Sequence, residues 1–305
     1  MTSPAAIAAV RLAIPPLSKE LHKGQYGKIG IIGGSLEYTG APYYAGISAL
    51  KTGVDLCHVF CTKEAAIPIK CYSPELIVHP LLTPDADAII KITAVLPRLD
   101  ALILGPGLGR EPFVMSLTKQ VIAAAKARNM PLVLDGDALF LLSTDLSLVH
   151  GYPRAVLTPN IVEFGRLCVA LGLLQTLDLA LTKLIPPSQV ATKLGNVAIL
   201  LKGSQDVASD GVSTLTNSLD GSPRRCGGQG DVAAGTVGAF LAWHSSQQAT
   251  DRAGSDLNPM LVAAMGGSLL TRQSSTLAFA KKGRSMTTPD VINCIGAAFQ
   301  TLYDR

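Results

Sequence analysis

Short runs of apolar residues alternate along this chain with longer stretches whose apolar positions recur at helical spacing. Lys28–Ser35 (KIGIIGGS) reads as a strand entering a Gly loop, Pro42 to Gly53 has helical spacing, and Val54–Phe60 is again strand-like. Ala101–Gly105 (ALILG), Pro131–Asp135 (PLVLD), Ala155–Thr158 (AVLT) and Ala198–Lys202 (AILLK) add further strands. Leu117, Val121, Ile122 and Ala125 mark one face of a helix, with Lys119, Lys126 and Arg128 turned away from it. Near-continuous apolar strands, each followed by a helix, predict a parallel sheet covered on both faces. The expected architecture is an α/β fold: a three-layer α/β/α sandwich with a mostly parallel central sheet. The strand ends repeatedly carry Gly, Asp, Asn or Lys, and ligands of open α/β folds bind outside the carboxyl ends of the strands. The opening MTSPAAIAAVRLAIPPL reads as a short amphipathic helix closed by Pro15–Pro16, without the basic n-region of a signal peptide or the Arg-rich bias of a transit peptide. No composition shift marks a boundary, so residues 1–305 are expected to form one domain, with Ala249–Pro259 a surface loop.

Composition narrows the function classes. Apolar residues make up 48% and charged residues 16% of the 305 positions, which excludes disorder. The net charge of +4 is spread without basic runs or interleaved aromatics, so no nucleic-acid surface is expected. Mean hydropathy is positive, yet no run approaches the ~18 uninterrupted apolar residues of a spanning helix, and no membrane segment is predicted. Six cysteines without a CxxC pair or a histidine cluster read as reduced thiols in a cytosol-like compartment, a mitochondrial one being left open. Cys57 and Cys61 belong on one face of a strand, in the core. The five histidines lack triad or metal spacing and read as structural or surface residues.

Chemistry concentrates in a few motifs. Neither GxxxxGK[ST] nor GxGxxG occurs, which disfavours a P-loop or a Rossmann site. RRCGGQGD, Arg224 to Asp231, opens directly into the helical run VAAGTVGAFLAW. Its glycines let backbone N–H groups converge, and the helix adds its unsatisfied N-terminal donors and positive dipole end, together an anion hole suited to phosphate. A carboxylate at that lip would repel phosphate. Asp231 fits if it faces the other reactant and takes the proton of a hydroxyl attacking a γ-phosphate; otherwise it caps the helix. TPNIVEF places Asn160 and Glu163 on one face at a helix start, either to hold a magnesium-bound water shell or as a capping box. LGPGLGR allows close backbone approach to a ligand. LDGDAL offers Asp135 and Asp137 as magnesium-shell groups or caps, and LLKGSQD ends a strand with Lys202, which either neutralises phosphate or is solvated.

At these residues the chain resembles the eukaryotic ATP-dependent (S)-NAD(P)H-hydrate dehydratases, a carbohydrate-kinase-like family with the ribokinase-like fold. HKGQYGKIGIIGGSLEYTGAPYYAGISALKTG, SPELIVHPLL, LGPGLGR, TPNIVEFGRL, LLKGSQD, RRCGGQGD and AFAKKGRSMTT carry the resemblance, in the family's order, over about residues 20 to 295. It implies a ribokinase-like sandwich without a separate lid domain, and an ATP-driven reaction that phosphorylates the ring hydroxyl of hydrated NADH or NADPH and eliminates phosphate. Carried over by position, Gly107, Asn160, Ile161, Val162, Glu163, Phe164, Gly165 and Arg166 would contact the hydrate. Lys202, Gly203, Ser204, Gln205 and Asp206 would bind ATP, as would Gly221, Ser222, Pro223, Arg224, Arg225, Cys226, Gly227, Gly228, Gln229 and Gly230. Asp231 would be the base, facing the hydrate. Mg²⁺ is the expected cofactor, reached through water by Glu163. A separate NAD(P)H-hydrate epimerase is the expected functional partner, and a homo-oligomer is left open. The alternatives are a small-molecule kinase of the same fold, acting on a vitamin precursor or sugar, and a non-catalytic nucleotide-binding regulator.

Overall fold

The structure is a computed structural model that describes residues 4–245 and 256–303. Most of the predicted 249–259 loop lies outside the described residues. Nine strands form one sheet: β1 (Lys28–Ile32), β2 (Leu56–Phe60), β3 (Leu76–His79), β4 (Ala101–Leu104), β5 (Leu132–Leu134), β6 (Ala155–Leu157), β7 (Ala198–Leu201), β8 (Asp206–Ser209) and β9 (Thr214–Asn217). Their order is β3-β2-β1-β4-β5-β6-β7-β8-β9. β1 to β7 pair in parallel, while β8 and β9 add antiparallel to the far edge.

The apolar strand runs predict burial on both faces, and their alternation assigns each residue to a side. Ile29, Ile31, Cys57, Val59, Ile103, Val133 and Val156 enter one core. Ile32, Phe60, Leu102, Leu104, Leu132, Leu134 and Leu157 enter the other. The first layer contains α1 (Pro4–Ala13), α2 (Gly40–Thr52), α3 (Lys63–Tyr72), and, after six helices on the opposite side, the C-terminal group. Those six are α4 (Ala88–Val95), α5 (Pro112–Ala127), α6 (Asp137–Thr144), α7 (Ile161–Ala170), α8 (Leu179–Thr182) and α9 (Pro187–Lys193). The C-terminal group is α10 (Gln229–Ser245), α11 (Pro259–Lys282), α12 (Thr288–Asn293) and α13 (Ile295–Tyr303). This is the expected three-layer sandwich. Among the described residues no helix is long and apolar enough to cross a membrane.

Three strands escaped the sequence pattern. β3 is four residues long with alternating burial, and β8 and β9 are built from Asp, Ser, Thr and Asn. Their polar side chains are consumed inside the fold: Asp206 accepts from Ser268 Oγ at 2.7 Å, and Asn217 Nδ2 donates to the same hydroxyl at 2.8 Å. A polar strand at a sheet edge has the composition of a loop, and only its partners reveal it.

The apolar run VAAGTVGAFLAW is α10, buried around its whole circumference from Val232 to Trp243. It lies against β4 and β5 and is flanked by α2 and α11. Gly235 makes the α2 contact: a Cβ there would fall 2.1 Å from the carbonyl oxygen of Ala45. Only hydrogen lets the two helices approach so closely, and this approach sets the position of Asp231 one turn earlier. Gly235→Ala should therefore destabilise the protein by about 1–3 kcal/mol, as overpacking does, although alanine alone would favour a helix by ~1 kcal/mol. Denaturant midpoints of the two proteins check this; an unchanged or raised midpoint would mean that α10 is not held by this contact.

Candidate active site

The chain leaves β1 for β2 and β3 on one side, then returns to β4 on the other, so the strand order reverses between β1 and β4. Loops diverge at such a switch point and leave a crevice at the carboxyl ends. Here Gly34 N–H donates to the carbonyls of Pro106 and Gly107 at 3.2 and 3.1 Å, closing its floor. The cleft above has a volume of about 650 Å³ and is lined by Gly107, Gly109, Arg110, Glu163, Arg166 and Asp231, with Glu37, Tyr38 and Ala41 across from them.

A second cleft, of about 700 Å³, opens where β7 ends. Lys202, Gly203, Ser204 and Asp206 form one wall. Gly221, Ser222, Pro223, Arg225, Cys226, Gln229 and Gly230 form another, and Thr271, Arg272 and Ser275 of α11 complete it. Among the described residues none lines both clefts. Gly230 and Asp231 are chain neighbours, yet Gly230 belongs to the second cleft and Asp231 to the first. The two neighbours thus open onto different clefts.

Beneath Gly230 three successive strand ends meet. Lys202 Nζ, after β7, donates to Asp135 Oδ1, after β5, at 2.7 Å. Thr158 Oγ1, after β6, donates to the same oxygen at 2.8 Å. A Cβ on Gly230 would lie 3.4 Å from Lys202 Nζ, so the ammonium sits directly under the loop. Burial alone would depress the lysine, but the charges of Asp135 and Glu163 outweigh it and hold Lys202 above its ordinary value. Asp231 is pushed up to about 7, first by burial and then by the Asp135 carboxylate, against the pull of Lys202. A base of that proton affinity is matched to neutral pH. Burial also raises Glu163.

Asn160 and Glu163 form a capping box. Asn160 Oδ1 accepts from the N–H groups of Val162 and Glu163 at 2.9 and 3.0 Å, and Glu163 Oε2 accepts from Asn160 N–H at 2.8 Å. The capping reading is thus realised in the fold, while Glu163 also reaches the first cleft. Within 160–166 only Glu163 and Arg166 line that cleft, because three-residue spacing puts them on one helix face. Asn160 faces the second cleft instead. Ile161 and Val162 line neither cleft, Phe164 is fully buried in the core, and Gly165 packs on Leu177 and Thr182. The histidines stay apart from the site: His58 Nδ1 and His79 Nε2 bond each other at 2.9 Å across β2 and β3.

Among the residues expected around ATP, Gln205, Arg224, Gly227 and Gly228 do not line the cleft. Gly228 shapes it from behind: its φ of +95° suits glycine, and a Cβ would meet the Tyr44 ring at 2.6 Å. Asp206 is not a free acid. Arg272 Nη2 and Nε donate to its two oxygens at 2.8 and 3.0 Å, and the same guanidinium donates to the carbonyls of Gly203 and Leu219 at 2.6 and 2.9 Å. Arg272 thereby ties together the two loops that form the walls of the cleft. Thr271, Arg272 and Ser275 were missed from sequence; three polar residues clustered in the apolar run of α11 were the available signal. Tyr38 and Ala41, both within the YTGAP stretch, also line the first cleft.

Comparisons with known proteins show the family and the fold. The family described as NAD(P)H-hydrate dehydratase matches residues 29–296. An ATP-dependent (S)-NAD(P)H-hydrate dehydratase of Danio rerio is 49% identical over 298 residues, covering 98% of this chain and 89% of the relative. The Homo sapiens protein of the same name is 48% identical, covering 97% and 84%. A ribokinase-like superfamily protein of Enterococcus faecalis superposes with a TM-score of 0.78 at 20% identity, covering 98% of this chain and 95% of that one. An ADP/ATP-dependent NAD(P)H-hydrate dehydratase of Bacillus subtilis, co-crystallised with ATP/Mg²⁺, gives 0.70 at 21% identity with 97% of each chain covered. At such identities the two structures speak to the fold alone, which is ribokinase-like. With the matched region spanning both clefts and relatives this similar along their length, the chain belongs to the NAD(P)H-hydrate dehydratase family.

Proposed function

We propose that this protein dehydrates (6S)-hydrated NADH and NADPH at the expense of ATP, returning the reduced dinucleotide, ADP and phosphate. The single observation that carries the reading is the split between Gly230 and Asp231, phosphate cradle and base, across two adjoining clefts. ATP occupies the Lys202 cleft, its phosphates drawn to the ammonium and to the N-terminal donors of α10. The hydrate occupies the switch-point cleft with its ring hydroxyl toward Asp231. The Asp231 carboxylate takes the hydroxyl proton as the oxygen bonds to the γ-phosphorus, and the bond from that phosphorus to the ADP oxygen breaks. The ring phosphate ester then loses phosphate while the neighbouring ring C–H gives up its proton, and the double bond returns. A phosphorylated product that persists would instead mark a small-molecule kinase. The expected epimerase would work separately, converting the other hydrate epimer into this substrate.

Magnesium fits this site as an ion that travels with the nucleotide. Among the described residues no three acidic, histidine or cysteine side chains gather as a cage, and Mg²⁺ on nucleotides takes most of its shell from phosphate and water. Glu163 Oε1, outside the capping box, and Asp231 are the carboxylate groups that would hold it through water. When bound, the ion neutralises charge on the β- and γ-phosphates.

Three measurements test these assignments. Asp231→Asn should lower turnover of hydrated NADPH by about 10²–10⁴-fold, with ATP affinity kept or improved because a negative charge is gone. The wild-type rate needs the ionised carboxylate, so it should fall as pH drops below about 7; near-normal turnover in the variant makes Asp231 a cap. Gly230→Ala adds a methyl group that the ligand-free fold accepts at 3.4 Å, so calorimetry should show weaker ATP binding at unchanged melting temperature. Equal ATP affinity would remove the phosphates from this loop. Glu163→Gln should raise the Mg²⁺ concentration for half-maximal rate several-fold; an unaltered Mg²⁺ curve with a loss of only ~0.5–2 kcal/mol in stability returns the residue to capping alone.

A further inference from the structure

The switch-point cleft is too acidic for the molecule proposed to enter it. Glu37, Glu111, Asp137, Glu163 and Asp231 all line it, and a hydrated dinucleotide brings the negative charges of a diphosphate. Its lining cations are Arg110 and Arg166. Arg166 is already expected at the hydrate; Arg110 has no assigned task.

Arg110 is set up for one. Its Nε donates to Asp137 Oδ1 at 2.9 Å, and its guanidinium carbon lies 4.0 Å from the centroid of the Phe140 ring. Asp137 is in turn fixed to the loop, accepting from Gly109 N–H through Oδ2 at 3.0 Å. One edge and one face of the guanidinium are thereby held, whereas the side chain stays 52% exposed and its two terminal nitrogens bond no described residue. Two parallel donors from a planar, permanently charged group match two oxygens of a phosphate. The side chain is ordered before the ligand arrives, so little rotamer freedom is left to lose on binding. A guanidinium placed only to neutralise Asp137 could present its terminal nitrogens to that carboxylate; here Nε makes the contact.

We infer that Arg110 is a phosphate-binding residue of the hydrate cleft, gripping a phosphate group of the dinucleotide through its two terminal nitrogens. The inference rests on the dehydratase reading of the cleft. The dinucleotide offers this chemistry in two places, the diphosphate common to both hydrates and the 2′-phosphate found only on the NADPH form.

The experiment compares wild type, Arg110→Ala and Arg110→Lys, with melting temperature and KM for ATP as controls for the fold and for the neighbouring cleft. KM for each hydrate should rise roughly ten- to a hundredfold in the alanine variant, the range for losing a charge-assisted hydrogen-bond pair. Lysine should recover part of the loss as a point charge without the fork. A rise for both hydrates places Arg110 on the diphosphate, and a rise for the NADPH hydrate alone places it on the 2′-phosphate. Unchanged KM values for both, with normal wild-type turnover, overturn the inference and leave the dehydratase reading standing. Calorimetric titration with intact NADH and NADPH reads the same phosphates without chemistry. If wild type turned over neither hydrate but bound these dinucleotides in an Arg110-dependent way, the proposed reaction would fall and the phosphate site would remain.

Discussion

The loop that separates the two clefts lies over the ion pair of Lys202 with Asp135. β5 and β7 are not neighbours; β6 runs between them, and the 2.7 Å contact crosses it with Thr158 filling the middle. Three parallel strands are pinned at their carboxyl ends by one carboxylate. Losing either charge would leave the other buried and uncompensated, which typically costs ~3–5 kcal/mol. The pair also presents a nearly neutral floor to the loop above, with both its ammonium and its carboxylate close beneath Gly230. Had Lys202 been free, it would have stabilised the ionised form of Asp231 and made it a weaker proton acceptor. Had Asp135 stood alone, Asp231 would have been protonated at neutral pH.

The proton affinity of Asp231 is therefore set by opposition. Burial and Asp135 raise it, Lys202 lowers it, and the balance lies at about 7. Burial is the larger of these influences, and it originates in packing. α10 is enclosed by the sheet, α2 and α11, and the missing side chain of Gly235 lets it sink against Ala45. A helix that could not approach so closely would lift Asp231 toward water and change its chemistry without altering one residue of the site.

Much of this was legible in the sequence. Apolar strand runs announced the parallel sheet, and the residues that end them marked its functional edge. RRCGGQGD led to the expectation that Asp231 turns away from its glycines, and the fold gives Gly230 and Asp231 to different clefts. What stayed hidden has a common physical cause. Polar residues spent inside the fold look like loop: Asp206 and Asn217 disguised β8 and β9, and Arg272 is far from the loops it ties in sequence but adjacent in space. The stretch 160–166 shows the converse. A motif read as continuous contacts resolves on a helix into one face, so Glu163 and Arg166 reach the cleft while Phe164 supports the core.

The partition between Gly230 and Asp231 has a kinetic consequence. Among the described residues the two clefts share no lining residue, so on the proposed reading each would fill independently and the phosphoryl group would have only the boundary between them to cross. Nothing in the layout calls for a protein side chain to carry that group in between, as a ping-pong enzyme would. On the proposed reading the layout suits a ternary complex, with both reactants bound before transfer.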